Sequence, residues 1–233
     1  MSILHEKLRA GNFTSSEIHR LMETPAKAKT YIEEKNIERR MGICLGTEVH
    51  TRDMAWGNFL EQRVLDLLGM EYQIQSKQTN VHPTIPNWVG TKDLVVRNIK
   101  VSEIKCYQRK NFALYTDALL TGETEIIKKH NPKEYWQIVS NASILSLPKG
   151  EAITYMPYEK EIPEIRDMAL NYGDIDRYKY TWIYESPIEA LAYLPNDGYY
   201  KNLNVFEFEV PKVDIDLLTN KVITYSKLLN PAL

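Results

Sequence analysis

The chain has 233 residues, 43% of them hydrophobic, enough for one well-packed core, and its formal net charge of −2 gives no global sign of a polyanion binder. It lacks any run of about 18 apolar residues, and its start, MSILHEKLRAG, has no leader-like apolar stretch or cleavage site. These features predict a soluble, cytoplasmic protein with no membrane partner, and two cysteines, Cys44 and Cys106, give no argument for a disulfide framework and exclude a four-cysteine iron–sulfur cluster.

Along the chain, Thr14-Ser15-Ser16-Glu17 ahead of Ile18, Leu21 and Met22 has the pattern of a capping box and predicts a helix from about Ser15. Its polar start would present hydroxyls and backbone N–H groups at a positive helix end, a setting suited to phosphate. Residues 25–45 are charged and helix-prone and read as a solvated helix or connector. A further helix is expected from about Asp53 to Leu68, with Trp56, Leu60, Val64 and Leu67 on its apolar face, Gln62, Arg63 and Asp66 pointing away, and Gly69 as its C-cap. Glu61 falls at the flank of the apolar face. A carboxylate there either finds a cation or hydrogen-bond donors, or reaches past the edge to solvent.

Residues 71–87 read as a strand followed by a loop containing Pro83 and Pro86. The stretch 88–107, WVGTKDLVVRNIKVSEIKCY, reads as a β-hairpin. If Arg97-Asn98-Ile99 form a three-residue loop, Val96 pairs with Lys100 and Asp93 falls opposite Glu103. Glu103 and Lys105 share a face by the period of two, so two carboxylates and an ammonium converge on one point. Oxygen donors this close suit Mg²⁺ or Mn²⁺. A solvated hairpin carrying the same three charges is the competing reading, and context outside the hairpin has to decide. Residues 90–110 hold six basic residues against two acidic ones, in a chain whose part after residue 150 carries a net −6 against +4 before it, so positive charge gathers where a polyanion would lie. His50 and His82 stand alone and read as surface or core histidines.

Residues 111–131 are expected to be helical with a break at Gly122, and Pro132 opens another helix, PKEYWQIVSNASILSL. After it come EAITYMPY as strand, EIPEIRDMALNY as helix, KYTWIYE and LNVFEFEV as strands, and VDIDLLTNKVITYSKLL as a closing helix. Interleaved strands and helices predict an α/β (α+β) fold, a central mixed β-sheet flanked by helices. The expected organisation is a single domain over 1–233, with the chemistry within 1–145 and residues 146–233 completing the fold.

A helix glutamate, an aspartate, Glu-x-Lys and a later helix carrying a glutamine follow one another in the segments KLRAGNFTSSEIHRLM, AWGNFLEQRVLDLLG, GTKDLVVRNIKVSEIKC and YWQIVSNASIL. In this order the chain resembles the PD-(D/E)xK nuclease superfamily, and more closely its lambda exonuclease and YqaJ-like viral recombinase branch. The resemblance covers roughly the first 145 residues and implies a restriction-endonuclease-like core. It makes Asp93 and Glu103 metal ligands together with the Ile104 backbone carbonyl, with Glu61 supporting the metal, and it makes Lys105 the group beside the attacking water. It further implies a terminal-phosphate grip formed by Arg9, Ser16 and Gln137. Thr91-Lys92-Asp93 stands where Pro-Asp is usual; proline sets backbone conformation and supplies no ligand, so the chemistry need not suffer.

The implied activity is metal-dependent hydrolysis of linear duplex DNA, 5′→3′, with one or two Mg²⁺ or Mn²⁺ ions, in phage-type recombination. A ring-shaped homotrimer and a single-strand annealing protein are the implied partners. An endonuclease with the same site, or a non-catalytic DNA-binding module of the same fold, are the alternatives left open.

Overall fold

After a helical turn at residues 7–9, the chain forms a two-residue strand, β1 (Phe13–Thr14), a 3₁₀ turn at Ser15–Glu17 and a short helix, α1 (His19–Met22). The computed structural model describes residues 7–46, 51–69, 72, 78–172 and 177–231. The capping box expected at Thr14 does not form. Its side chain caps nothing and lies instead 3.4 Å from the hydroxyls of Ser16 and Tyr31, because Thr14 is already committed to a strand.

Helix α2 (Pro25–Met41) opens with Pro25 at its first turn under a Thr24 cap and ends at Gly42 in the left-handed conformation (φ 70°). It corrects the solvated reading of this stretch: Ala28, Tyr31, Ile32, Lys35 and Glu38 are buried. The two buried charges satisfy each other at 2.8 Å, and Glu38 also accepts the Gly11 N–H at 2.7 Å. Helix α3 (Arg52–Leu68) has the expected limits and ends at Gly69 (φ 80°). Two of its positions depart from the expected faces. Leu67 is exposed, and Arg63 turns inward to the Tyr155 hydroxyl (3.0 Å), Glu161 (3.0 Å) and Glu164 (2.9 Å).

The strand expected within 71–87 falls largely outside the described residues. Within them, β2 (Thr79–Val81) and β3 (Trp88–Thr91) pair antiparallel, and β3 pairs in parallel with β1, giving a small three-stranded sheet, β1-β3-β2. Trp88–Thr91 therefore belongs to this sheet and leads into the hairpin rather than forming part of it. The hairpin itself is β4 (Leu94–Val96) and β5 (Lys100–Lys105).

Helices α4 (Arg109–Leu120) and α5 (Thr124–His130) flank the break at Gly122, and α6 (Pro132–Leu145) begins at its proline. Strand β6 (Lys149–Tyr155), helices α7 (Ile162–Leu170) and α8 (Arg177–Glu185), strand β7 (Leu203–Glu209) and helix α9 (Lys212–Ser226) complete the chain. The segment KYTWIYE, expected as a strand, lies in α8. Tyr180 and Ile183, three apart, are buried against α3, with the Tyr180 and Phe59 rings 5.0 Å apart. That one-sided packing outweighs the β-preference of Tyr, Thr, Trp and Ile.

The larger sheet runs β4-β5-β6-β7 and is mixed: β4–β5 and β6–β7 are antiparallel, β5–β6 parallel. Both faces are covered, as the near-continuous burial of β5 and β6 requires. On one face lie Val101, Tyr135, Ile138 and Phe208, continuous with Phe13 and Trp88; on the other, Trp56, Phe59, Leu94, Ile104, Ile153 and Ile183. The predicted mixed sheet flanked by helices is the observed architecture. Strand β6 sits between β5 and β7, so residues after 145 form the middle of the sheet. No helix among the described residues is long and apolar enough to cross a membrane.

Candidate active site

The hairpin folds in the register its sequence predicts. Val96 pairs with Lys100, Val95 with Val101 and Leu94 with Ser102, which sets Asp93 opposite Glu103. The loop turns through Arg97 (φ 52°) and Asn98 (φ 56°) and closes with the Ile99 N–H on the Val96 carbonyl at 3.0 Å. Two left-handed residues give the twist that matches antiparallel strands, and Asn98 is a residue type that tolerates it.

Glu103 is buried, 3% exposed. Its Oε1 accepts from the Lys105 ammonium at 2.6 Å and from the Gln137 amide, while its Oε2 is buried with no hydrogen-bond partner. Burial, and after it the charge of Asp93, push the Glu103 carboxyl up to about 8 against the opposing pull of Lys105; Glu61 adds to the rise. Burial alone would discharge Lys105, but Glu103 and Asp93 outweigh it and hold the ammonium charged. The Asp93 Oδ2 accepts the Ile104 N–H at 2.9 Å, which fixes the aspartate at the sheet edge. Glu61, half-buried on α3, shares a small cavity with Asn58, Asp93 and Ile104. The four residues expected to carry the chemistry are therefore neighbours.

Among the described residues no three His, Cys, Asp or Glu side chains already enclose an ion. The donor set nevertheless fits a hard divalent cation. One carboxylate oxygen is buried and unbonded, a second carboxylate raises its proton affinity, and both are oxygen donors. Asp93, Glu103 and the Ile104 carbonyl are the groups that could hold the ion, with Glu61 behind them.

Arg9 and Ser16 are also brought together, Nη2 to Oγ at 3.4 Å, in a narrow recess shared with Thr14, Val89, Gly90 and Thr91. Gln137 is not in that recess. It sits inward, bonded to Glu103 and accepting from Lys105 at 3.4 Å. The two places are linked along α6: one turn beyond Gln137, Asn141 donates to the Thr91 carbonyl at 3.3 Å, and Ser140 bonds Ser15 at 2.8 Å and the Trp88 indole at 2.7 Å. This approach needs Gly90, where an added Cβ would stand 2.3 Å from the Asn141 Oδ1 and 2.4 Å from the Ser15 Oγ.

Lys92 is half-buried beside Asp93, and burial lowers its pKa. His82 stacks on Trp88 with ring centroids 4.6 Å apart, a packing role; His50 lies outside the described residues. Asn141, Tyr107 and Glu134 are not singled out by the sequence pattern. For Glu134 and Asn141 the signal was present: at −3 and +4 from Gln137 they fall on its helix face.

A sequence search of curated proteins finds no match. Among solved structures, an alkaline exonuclease (LHK-Exo) from Laribacter hongkongensis is similar with a TM-score of 0.65 and 16% identity, covering 97% of this chain and 92% of that one. Its complex with dAMP gives 0.64 over the same shares at the same identity. A phage-related exonuclease from Haemophilus somnus 129PT gives 0.55 at 13% identity, over 93% and 92% of the two chains. These likenesses establish a shared fold. The YqaJ-like viral recombinase domain model matches residues 5–144, a span that runs from Arg9 through Glu61, the hairpin and Gln137. On that match the chain belongs to the YqaJ-like viral recombinase domain family.

Proposed function

We propose that this protein is a metal-dependent DNA exonuclease of phage-type recombination that degrades linear duplex DNA from a 5′ end. The carrying observation is the buried Glu103, one oxygen unbonded, beside Asp93 and in contact with the Lys105 ammonium. Asp93, Glu103 and the Ile104 carbonyl would hold one Mg²⁺ or Mn²⁺ ion, and Glu61 lies where it supports that ion or a second. Such a cation neutralises charge at the phosphate and lowers the pKa of the attacking water.

The protein's own groups do the rest. Lys105, kept charged by its acidic neighbours, donates to the attacking oxygen and stabilises the negative charge that builds on the phosphate. Gln137 orients Glu103, and Asp93 is fixed by the Ile104 N–H, so little reorganisation is needed when substrate arrives. Arg9 and Ser16 hold a terminal phosphate, a charge-assisted contact that defines an end. Contacts to phosphate carry no base information, so digestion proceeds with little sequence preference and weakens with salt.

Duplex DNA is the substrate, residues 1–233 act as one domain, and a homotrimer working with a single-strand annealing protein in the cytoplasm of a bacterial host is the assembly that family membership favours. Lys105→Ala and Asp93→Asn each lower Mg²⁺-dependent degradation of 5′-phosphorylated linear duplex by at least about 10²-fold, with circular dichroism unchanged, and covalently closed circles resist. Undiminished activity in either variant overturns the site, and equal cutting of circles and linear DNA makes the enzyme an endonuclease. Failure to bind Mn²⁺ in calorimetry would point to an inert DNA-binding module.

A further inference from the structure

Helix α6 carries three polar residues in one stripe: Glu134, Gln137 and Asn141. Their contacts differ in kind. Asn141 reaches the Thr91 carbonyl at the wall of the Arg9–Ser16 recess, Gln137 reaches Glu103 and Lys105, and Glu134, 8% exposed, accepts the Tyr107 hydroxyl. Along the helix axis these positions lie about 6 Å and about 4.5 Å apart. A strand with its terminal phosphate in the recess and its first phosphodiester at Lys105 therefore continues past Gln137 toward Glu134 and Tyr107.

What lies there is a groove between α4, α5 and α6, with a cavity of about 670 Å³ lined by Tyr107, Asn111, Leu114, His130, Asn131 and Glu134. Its character differs from the recess. Two carboxylates, Asp117 and Glu134, stand against Lys133 and His130, so it offers no concentrated positive field for phosphate. It offers an aromatic face at Tyr107, an apolar contact at Leu114 (57% exposed) and the amides of Asn111 and Asn131. Asn131 occupies the cap position of α6 without capping it, and its Oδ1 is buried and unbonded. Turning that amide into the groove sacrifices no hydrogen bond, and an amino group arriving there would supply the missing donor.

We propose that this groove seats the nucleoside immediately beyond the scissile bond, its base against Tyr107 and Leu114 and its polar edge on Asn111 and Asn131. The inference rests on the exonuclease reading given above and extends it: the terminal phosphate is held at one end of α6 and the next nucleoside at the other. The phosphodiester between them is thereby stretched across Glu103 and Lys105. Base–aromatic stacking tolerates every base, so the groove adds grip without sequence preference.

The test uses 5′-phosphorylated linear duplexes with one abasic residue, cleaved by the whole protein in Mg²⁺ under single-turnover conditions. An abasic residue at the second nucleotide of the cut strand slows cleavage of the first bond about tenfold, the loss of one stacked base. The same lesion at the fifth nucleotide, or opposite the second, does not. In the double variant Asn111→Ala/Leu114→Ala, intact and second-position abasic duplexes are cut at the same reduced rate; both residues are exposed, so no core contact is lost. Equal rates for intact and abasic duplexes in the unaltered protein overturn the groove assignment while leaving the nuclease in place. A lesion effect confined to the opposite strand also overturns it, giving the groove to the complementary strand. No cleavage of the intact duplex at all overturns the nuclease reading and this inference with it.

Discussion

The Gln137 amide donates to the Glu103 carboxylate, tying helix α6 to β5, the strand that carries Glu103 and Lys105. The same carboxylate oxygen also receives the Lys105 ammonium, so one oxygen organises both partners while the other stays unbonded.

That bond predicts a rate effect that does not depend on the end of the DNA. Gln137→Ala removes a hydrogen bond to a charged group, about 1.5–3 kcal/mol, and slows single-turnover cleavage about tenfold or more on 5′-phosphate and 5′-hydroxyl ends alike. Gln137→Glu is worse, because it adds a fourth carboxylate beside Glu103, Asp93 and Glu61, which already repel. A defect confined to phosphorylated ends would assign Gln137 to the phosphate grip instead.

Arg9→Ala gives the complementary result. It removes the cation from the recess without touching Glu103, so cleavage of 5′-phosphorylated ends falls toward the rate for 5′-hydroxyl ends, which itself barely changes. The salt dependence of binding loses about one phosphate contact, and Ser16→Ala has a smaller effect of the same kind. Equal losses on both ends would remove the grip from this place.

Truncation after Ser146 yields no folded nuclease, even though every site residue is retained. It strips β6 from β5 across six paired positions and takes away α9, whose buried Asp214 bonds Lys128 at 2.6 Å and the Tyr135 hydroxyl at 2.5 Å. Circular dichroism and proteolysis of the fragment decide it; a cooperatively melting fragment would mean that the first 146 residues form a domain of their own.

Stability against acid is expected to rest partly on Glu161. Burial would raise its pKa, but the Tyr158 N–H, Asn202, Arg63 and Tyr155 together lower it below the ordinary carboxylate value. The folded form thus binds a proton less readily than the unfolded chain. The stabilisation is fully present above the ordinary glutamate pKa and is lost as pH falls through the lowered folded value. Glu161→Gln lowers Tm by about 4–8 °C at pH 7, from about 2 kcal/mol, and by much less near pH 3. An equal drop at both pH values would remove Glu161 from the acid response.

Local chemistry was legible where it is fixed by neighbours in sequence. The hairpin register followed from its three-residue loop, α6 from Pro132 and the end of α3 from Gly69, and these set Asp93, Glu103 and Lys105, then Gln137, then Glu61. What escaped was set by distant packing. The charged helix α2 is half-buried because Lys35 and Glu38 neutralise each other inside, and Arg63 turns inward because three acceptors, Tyr155 of β6, Glu161 of the following turn and Glu164 of α7, meet it there. Thr14 forgoes its cap because β1 pairs with β3, more than seventy residues away. The meeting of Tyr107 with Glu134 depends on the same long-range placement.

Gly90 carries no reactive group, yet Ser15 and Asn141 close on its backbone so tightly that only hydrogen fits between them. In a saturation screen for activity, position 90 should therefore be as intolerant as position 93, for unrelated reasons. The two separate by rescue: the paired substitution Ser15→Gly/Asn141→Gly, which removes the two closest contacts, can recover Gly90→Ala, whereas no change elsewhere can return the oxygens of Asp93.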